Sequence, residues 1–254
     1  MKLDFLHPAS APHDLRELTW PTGLVALALA PHPDDFDAVG VTFRFLHRMG
    51  VEIHVAVAVT GSGIDDVYGA GMTQEDRRDQ RIQEQRDSVR FFGLPDTRLR
   101  FMFLNNAGDD QLVDDPENRE SVWRIIREIR PDLIFSPHGN DTNRAHRDMF
   151  SLVSHALARA DWPIALFLNR DAKTRGMRTD AFIAFDEPEA RWKAQLLRHH
   201  DSQQQRNIRD RGHGFDARVL GLNRLVAQEL ALTQPYAAAF EIQIITSADL
   251  PVRG

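Results

Sequence analysis

The sequence predicts an α/β protein with a doubly wound, mostly parallel, Rossmann-like sheet and helices on both of its faces. Short apolar stretches rich in β-forming residues are separated by stretches with helical periodicity. Strands that alternate with helices form parallel crossovers, which cover both faces of a sheet. Because the 254-residue chain is 42% hydrophobic, we expect one domain over residues 1–254 rather than two small ones.

The order of the elements follows from turn residues and from the period of the apolar residues. Apolar stretches predict strands over 24–30, 52–60, 98–104, 132–137, 163–169, 180–185 and 238–246. Helical periodicity, with glycine or proline near several ends, predicts helices over 37–49, 76–92, 116–130, 147–160, 187–200 and 219–232. The stretch 202–218, rich in Gln, Arg and Gly, is predicted as a loop. Ligands bind beyond the carboxyl ends of such strands, so one rim should contain loops 31–36, 60–75, 105–115 and 137–146.

The composition excludes several classes of function. The net charge of −6 argues against nucleic acid or an anionic membrane as the main partner. No apolar run reaches the roughly 18 residues that a membrane span requires, and the first residues lack the apolar core of a signal peptide. We therefore expect a cytoplasmic protein. Since the chain has no cysteine, a metal site would consist of histidine and carboxylate ligands.

Charged residues stand directly after the first predicted strand, in the stretch "APHPDDFDAVG". His32 and Asp35 are three residues apart across a proline-stiffened turn, so both could bind one ion while Asp34 points elsewhere. A catalytic zinc usually has three protein ligands and an open position, and "SPHGNDTNRAHRD" offers His138 and His146 after the fourth strand. Alternatively, the aspartates only cap the next helix, and the later stretch is a polar turn with incidental histidines.

These motifs resemble those of the PIG-L/LmbE-like family of zinc-dependent N-deacetylases, which act on N-acetylglucosamine-type groups. The family's first motif reads His-Pro-Asp-Asp after the first strand. Further similar stretches, in the family's order, are "RIQEQRDSVRFFGL" with Arg81, Glu84 and Gly93, "FLNNAGDDQL" with Asp109 and Leu112, "KAQLLRHHDSQ" with Lys193, His200, Ser202 and Gln203, and "PYAAAFEI".

The resemblance implies a metal-dependent hydrolase that removes the acetyl group from an N-acetylated amino sugar or a related small conjugate. It implies that His32, Asp35 and His146 bind Zn2+, although other divalent ions also suit such ligands. Asp34 would be the general base for a water molecule that the zinc activates. The expected partner is a small amino-sugar substrate, without nucleic acid or membrane, and a homo-oligomer is left open. Candidate substrate-binding residues are Arg81, Asp109, His138, Arg144 and His200.

The second motif departs from the family pattern. The family has His-x-Asp-His, in which the first histidine stabilises the oxyanion, whereas this chain has Asn143, Arg144, Ala145 and His146. The amide of Asn143 could donate to an oxyanion instead, and Arg144 or His138 could also substitute. The alternative is a catalytically impaired metal- and sugar-binding relative. A nucleotide-binding Rossmann protein is disfavoured, because the first turn lacks Gly-x-Gly-x-x-Gly and its acids would repel a pyrophosphate.

Overall fold

The computed structural model describes residues 2–6, 12–59, 63–108 and 111–245. The strands are β1 (His13–Asp14), β2 (Val25–Ala30), β3 (Glu52–Val57), β4 (Leu99–Phe101), β5 (Leu133–Pro137), β6 (Ile164–Asn169), β7 (Ala181–Phe185) and β8 (Tyr236–Ile245). The helices are α1 (Asp35–Ala38), α2 (Gly40–Arg48), α3 (Gln74–Phe92), α4 (Pro116–Ile129), α5 (Arg144–Leu157), α6 (Glu187–Arg198), α7 (Asp201–Arg211) and α8 (Phe215–Glu229). None of these helices is long and apolar enough to cross a membrane.

The strands form one sheet in the order β1-β7-β8-β6-β5-β2-β3-β4. β8 is antiparallel to its neighbours β6 and β7, and the other neighbouring pairs are parallel. The chain moves outward from β2 through β3 to β4, and then returns to β5 on the other side of β2. Where connections leave two adjacent strands in opposite directions, a crevice opens at their carboxyl ends. The doubly wound sheet is therefore confirmed, with this crevice between β2 and β5.

Helices cover both faces of the sheet because alternate side chains of the central strand β2 enter different cores. Its alanines face a core that includes Phe43 of α2 and Val89 of α3. Its leucines face a second core that includes Ile126 of α4 and Leu152 of α5. A strand buried on both faces reads as a continuous apolar run, which is the pattern that "LVALALA" shows.

The prediction of a loop over 202–218 is wrong for most of its length, because this stretch contains α7 and the start of α8. The buried residues of α7 are Ser202 and Asn207, so the helix lacks the apolar stripe by which periodicity detects helices. Polar contacts hold it instead: the backbone N–H and the hydroxyl of Ser202 donate to Glu84 at 2.7 and 2.8 Å. Gly212, with φ of 74°, ends the helix.

Two predicted helices differ from the structure near the crevice. The helix predicted over 37–49 is divided into α1 and α2, and the helix predicted over 147–160 begins at Arg144. The earlier start of α5 follows from its N-cap, because Asn143 Oδ1 accepts a hydrogen bond from the backbone N–H of Ala145 at 3.1 Å. The cap turns the first residues of α5 toward the crevice.

The loop after β5 packs closely against α5. A Cβ atom added to Gly139 would lie 2.6 Å from Cδ1 and 2.8 Å from Cε1 of the Phe150 ring. Such distances are shorter than van der Waals contact between carbon atoms. A glycine is therefore needed where the chain leaves the strand end and passes over the helix.

We expect Gly139→Ala to lower the free energy of unfolding by about 1–3 kcal/mol, because the added methyl group overpacks the contact with Phe150. Gly221→Ala is the matched control: no atom lies within 4 Å of its added Cβ. In the helix interior this control should raise stability by about 0.5–1 kcal/mol. Urea unfolding of both variants measures the difference, and equal stabilities would contradict the close approach.

Candidate active site

Two histidines and one aspartate converge at the crevice between β2 and β5. His32 Nδ1 lies 3.4 Å from Asp35 Oδ2, and His146 Nε2 lies 3.4 Å from Asp35 Oδ1. One ligand atom from each residue lies within 4.8 Å of the other two. Two ligands at 2.0–2.2 Å from a tetrahedral ion are about 3.3–3.6 Å apart. The spacing of these three side chains therefore fits a divalent metal ion.

The His-Pro-Asp-Asp turn is strained and does not cap a helix. Asp34 has φ of 106° and ψ of −23°, in a left-handed region that residues with a Cβ rarely adopt. Its side chain makes no capping hydrogen bond to α1, and Asp35 Oδ2 accepts from the backbone N–H of His32 at 2.8 Å. The helix-cap interpretation is therefore wrong. The turn separates the two carboxylates, so that Asp35 faces the histidines and Asp34 faces Arg81.

Asp34 is held by a buried guanidinium. Arg81 Nη2 donates to Asp34 Oδ2 at 3.1 Å and also to the carbonyl of Pro33, and Arg81 Nη1 donates to Glu84 Oε2 at 3.0 Å. Burial raises the pKa of Asp34, and Arg81 opposes this rise without cancelling it. A carboxylate with a raised pKa is a stronger base than an ordinary surface aspartate.

A second carboxylate lies behind His146. Asp141 Oδ2 is 3.2 Å from His146 Nδ1, and Asp141 Oδ1 accepts the backbone N–H of Asn143 at 2.6 Å. Burial lowers the basicity of His146, yet Asp35 and Asp141 outweigh burial and raise its pKa to about 10. The Asp35 carboxyl is also buried, but the neighbouring histidines hold its pKa well below the usual range. A bound cation can replace the proton that these acids attract to His146.

Sequence reasoning missed Asp141, although it stands in the quoted second motif. Metal-binding histidines usually donate their other ring nitrogen to a carboxylate or a carbonyl, which fixes the tautomer. An aspartate five residues before the candidate ligand His146 is the available signal, and only the loop conformation shows that its side chain turns back to the ring.

The predicted site residues are only partly brought together. A cavity of about 650 Å³ has a volume within the range of ligand pockets. Of the predicted residues, its lining includes His32, Asp34, Asp35, Arg81, Asn143, Arg144 and His146. All four loops that were expected to share the rim contribute to the lining. His32 comes from loop 31–36, Gly63 and Ile64 from loop 60–75, Gln111 from loop 105–115 and Thr142 from loop 137–146.

His138 and His200 do not line the cavity, and their prediction as substrate-binding residues is corrected. His138 Nε2 lies 3.3 Å from Glu241 Oε2 on β8. His200 has no exposed surface, and its Nε2 lies 2.7 Å from Asp37 Oδ2. His200 is thus fully enclosed, and His138 is largely buried and contacts β8 rather than the residues that line the cavity. Asp109 lies outside the described residues.

Asn143 lines the cavity, and its amide oxygen and nitrogen differ in their contacts. Its Oδ1 accepts the backbone N–H of Ala145 as the N-cap of α5, so Nδ2 points the other way. Within the described ranges Nδ2 donates to no other residue, while Asn143 lines the cavity next to His146. The side chain is therefore free to donate a hydrogen bond to a ligand.

A cluster of buried polar side chains packs next to the His-Pro-Asp-Asp turn. Asp37 accepts a hydrogen bond from Gln85 Nε2 at 3.0 Å in addition to its contact with His200. Nearby, the fully buried Lys193 donates from Nζ to Asn223 Oδ1 at 2.7 Å. Burial lowers the pKa of Lys193 to about 7, against the opposing charge of Asp37.

The family model described as "PIG-L: GlcNAc-PI de-N-acetylase" matches residues 27–157, just over half of the chain. This chain belongs to the PIG-L family. The matched region runs from β2 to the end of α5, so it contains the strained turn, Arg81 and His146. The resemblance drawn from the sequence motifs is thereby confirmed. A comparison with curated protein sequences gave no match.

The fold is similar to solved structures of enzymes with different names. N,N'-diacetylchitobiose deacetylase from Pyrococcus horikoshii has a TM-score of 0.72 at 18% identity, covering 86% of this chain and 83% of that one. The 4-carboxy-2-hydroxymuconate hydratase GalB from Pseudomonas putida KT2440 has a TM-score of 0.65 at 17% identity, covering 86% and 95%. Teicoplanin deacetylase Orf2, in a zinc-inhibited form, has a TM-score of 0.63 at 14% identity, covering 87% and 98%. Because one of these is a hydratase, the fold alone does not decide the reaction.

We expect Lys193→Met to remove a pH dependence of stability. Between pH 7 and the unfolded pKa near 10.5, native Lys193 binds fewer protons than the unfolded chain, so its contribution to stability rises with pH. The unfolding free energy of the unchanged protein minus that of Lys193→Met should increase by on the order of 3 kcal/mol from pH 7 to pH 10. Urea unfolding at each pH measures this difference. Lys173→Met, at an exposed lysine, controls for removing one charge, and a difference independent of pH would refute the assignment.

Proposed function

We propose that this chain is a metal-dependent N-deacetylase that hydrolyses the acetamido group of an N-acetylated amino sugar or a related small conjugate. The observation that carries the proposal is the convergence of His32, Asp35 and His146 beside Asp34, which pairs with the buried Arg81. Membership of the PIG-L family supports the same reaction.

His32, Asp35 and His146 would hold the ion, and zinc suits a donor set of two imidazoles and one carboxylate. When bound, such an ion acidifies water and polarises an amide carbonyl. Asp141 keeps the proton of His146 on Nδ1, so that Nε2 has its lone pair directed toward Asp35 and the ion site. Asp141 is therefore a positioning residue for His146.

Asp34 is the general base in this proposal. Its carboxylate takes a proton from the attacking water and later delivers that proton to the nitrogen of the leaving amine. The water oxygen forms a bond to the acetyl carbon and the C–N bond breaks. The new carboxylic acid loses its proton to the amine, so the products are acetate and the protonated amino sugar, and atoms and charge balance. Arg81 fixes the Asp34 carboxylate through the hydrogen bond from Nη2 at 3.1 Å, and burial keeps the carboxylate basic enough to accept the proton.

Asn143 would stabilise the oxyanion that develops on the amide oxygen. The hydrogen bond from the backbone N–H of Ala145 fixes Oδ1 of Asn143, which restricts the amide and leaves Nδ2 as its free donor. One such donor can lower a reaction barrier by about 3 kcal/mol. This supports activity although the family's histidine and aspartate are replaced.

We expect Asp34→Asn to retain zinc but to reduce acetate release from N-acetylglucosamine conjugates at least about 100-fold, since the amide cannot accept the proton. Metal content by elemental analysis and acetate release are measured on the same preparations. Asp161→Asn, at an exposed residue, is the control for charge and should turn over normally. Undiminished turnover by Asp34→Asn would remove this residue from the role of base. Zinc-loaded unchanged protein that binds the sugar but releases no acetate would instead indicate the impaired metal- and sugar-binding relative.

We expect Asp141→Asn to weaken zinc binding by about 10- to 100-fold, because His146 loses the carboxylate that fixes its tautomer. Competition with a chromophoric chelator measures the affinity. Asp216→Asn is the matched control, since Asp216 is also a buried acid but pairs with Arg198 instead of a histidine of the site. Equal zinc affinity in both variants would exclude the positioning role of Asp141.

A further inference from the structure

We propose that the outer part of the cavity is a subsite for an anionic group of the substrate, a carboxylate or a phosphate, centred on Arg218. This inference rests on the proposed function, because it assigns the chemistry of the group that is joined to the amino sugar. Three segments supply the cations of this subsite: Lys173 follows β6, Arg211 ends α7 and Arg218 lies in the first turns of α8.

Arg218 is a guanidinium that lacks a close partner. Its side chain is 23% exposed, and the acid that pairs with it, Asp171, is 3.9 Å away. Within the described ranges no hydrogen bond satisfies the N–H donors of this side chain. An anionic ligand in the cavity would satisfy these donors, and the planar guanidinium suits the paired oxygens of carboxylate and phosphate.

Lys173 and Arg211 add charge that nearby acids do not neutralise. Both line the cavity, and neither forms an ion pair with another residue of the described part of the chain. They come from different segments, so their shared position is a property of the folded chain. Cations that line one concave surface raise the local concentration of anions.

The other acids of the outer cavity are already paired. Asp65 Oδ2 accepts from Arg209 Nη2 at 2.6 Å, and Asp65 Oδ1 accepts the backbone N–H groups of Val67 and Tyr68. Asp210 Oδ1 accepts from Arg209 Nε at 3.1 Å. Arg209 itself does not line the cavity. It therefore neutralises Asp65 and Asp210 without contributing a cation to the cavity wall. Asp65 and Asp210 therefore do not neutralise the three cations of the subsite, although Arg206, which also lines the cavity, pairs with Asp210 at 3.7 Å.

The anion subsite is close to the proposed reaction centre. An oxygen of Asp171 lies within 4.8 Å of a nitrogen of His146, and Arg218 Nη2 lies 3.9 Å from Asp171 Oδ1. A single small conjugate can therefore have its acetamido group at the histidines and its anionic group at Arg218. The subsite would give the enzyme a preference for charged conjugates over neutral ones.

The test compares three substrates that share the N-acetylglucosamine unit: the 1-phosphate, the carboxymethyl glycoside and the neutral methyl glycoside. For the zinc-loaded full chain, kcat/KM of at least one anionic substrate should exceed that of the methyl glycoside tenfold or more. The anionic substrate with the higher kcat/KM shows whether the subsite prefers phosphate or carboxylate. Arg218→Gln should reduce the anionic-to-neutral ratio at least tenfold, mainly through KM.

Arg124→Gln is the matched control, since Arg124 is exposed on α4 and does not line the cavity; its ratio should stay within twofold. If Arg218→Gln does not fold, Lys173→Gln at an exposed position should still lower the ratio about threefold. The proposal is overturned if the unchanged protein does not prefer either anionic substrate, or if neither cavity variant changes that preference.

Calorimetry separates this inference from the proposed function. Glucosamine 1-phosphate, carboxymethyl glucosaminide and methyl glucosaminide have no acetyl group, so their binding to the zinc-loaded protein does not depend on turnover. Tighter binding of an anionic ligand that Arg218→Gln abolishes supports the subsite even if no acetate is released, in which case only the proposed function fails. Turnover of the methyl glycoside without any anionic preference in kinetics or calorimetry leaves the proposed function and overturns the subsite.

Discussion

The site depends on the contacts of the Asp35 carboxylate with two histidines. This carboxylate lies between His32, on its own turn, and His146, which the chain supplies more than 100 residues later. The two histidines reach it because β2 and β5 are neighbours in the sheet and end at the same edge. A strained Asp34 follows from this arrangement: the turn must send one carboxylate toward the histidines and the next toward Arg81. The sheet order and the backbone strain therefore serve one requirement.

A network of buried polar side chains holds the turn of residues 32–35 in place. Arg81 and Glu84 on α3 connect the turn to Ser202 on α7 through short hydrogen bonds. Asp37 makes a parallel connection to His200. Because unpaired polar groups are costly inside a protein, such a network tolerates few alternative arrangements. The family motifs on α3, α6 and α7 are thus explained as the frame of the turn, and His200 belongs to that frame.

The sheet and most helices could be predicted from the sequence, because apolar periodicity and topology determine them. For the candidate site, spacing and topology suggested His32 and Asp35 but left His138 and His146 both open, and the choice of His146 came from the resemblance to the PIG-L/LmbE-like family. Other features depend on side-chain direction, which periodicity does not encode. α7 was missed since polar contacts, with Ser202 the clearest, hold it in place. Asp141 was missed because its role requires a loop that turns back on His146. Arg218 stands in a stretch that resembles a solvated surface, and its position at the cavity follows only from the packing of α8.

The position of β8 has a consequence for synthesis of the chain. β8 lies between β6 and β7, and β1 joins the sheet only through β7. Until residues 236–245 have left the ribosome, β7 has no partner through which to join the growing sheet, and β1 can pair with it only outside that sheet. Nascent chains would therefore carry the β6 edge unpaired while residues 170–235 are synthesised, and exposed strand edges promote association between chains. Completion of the sheet is delayed until β8 has been synthesised.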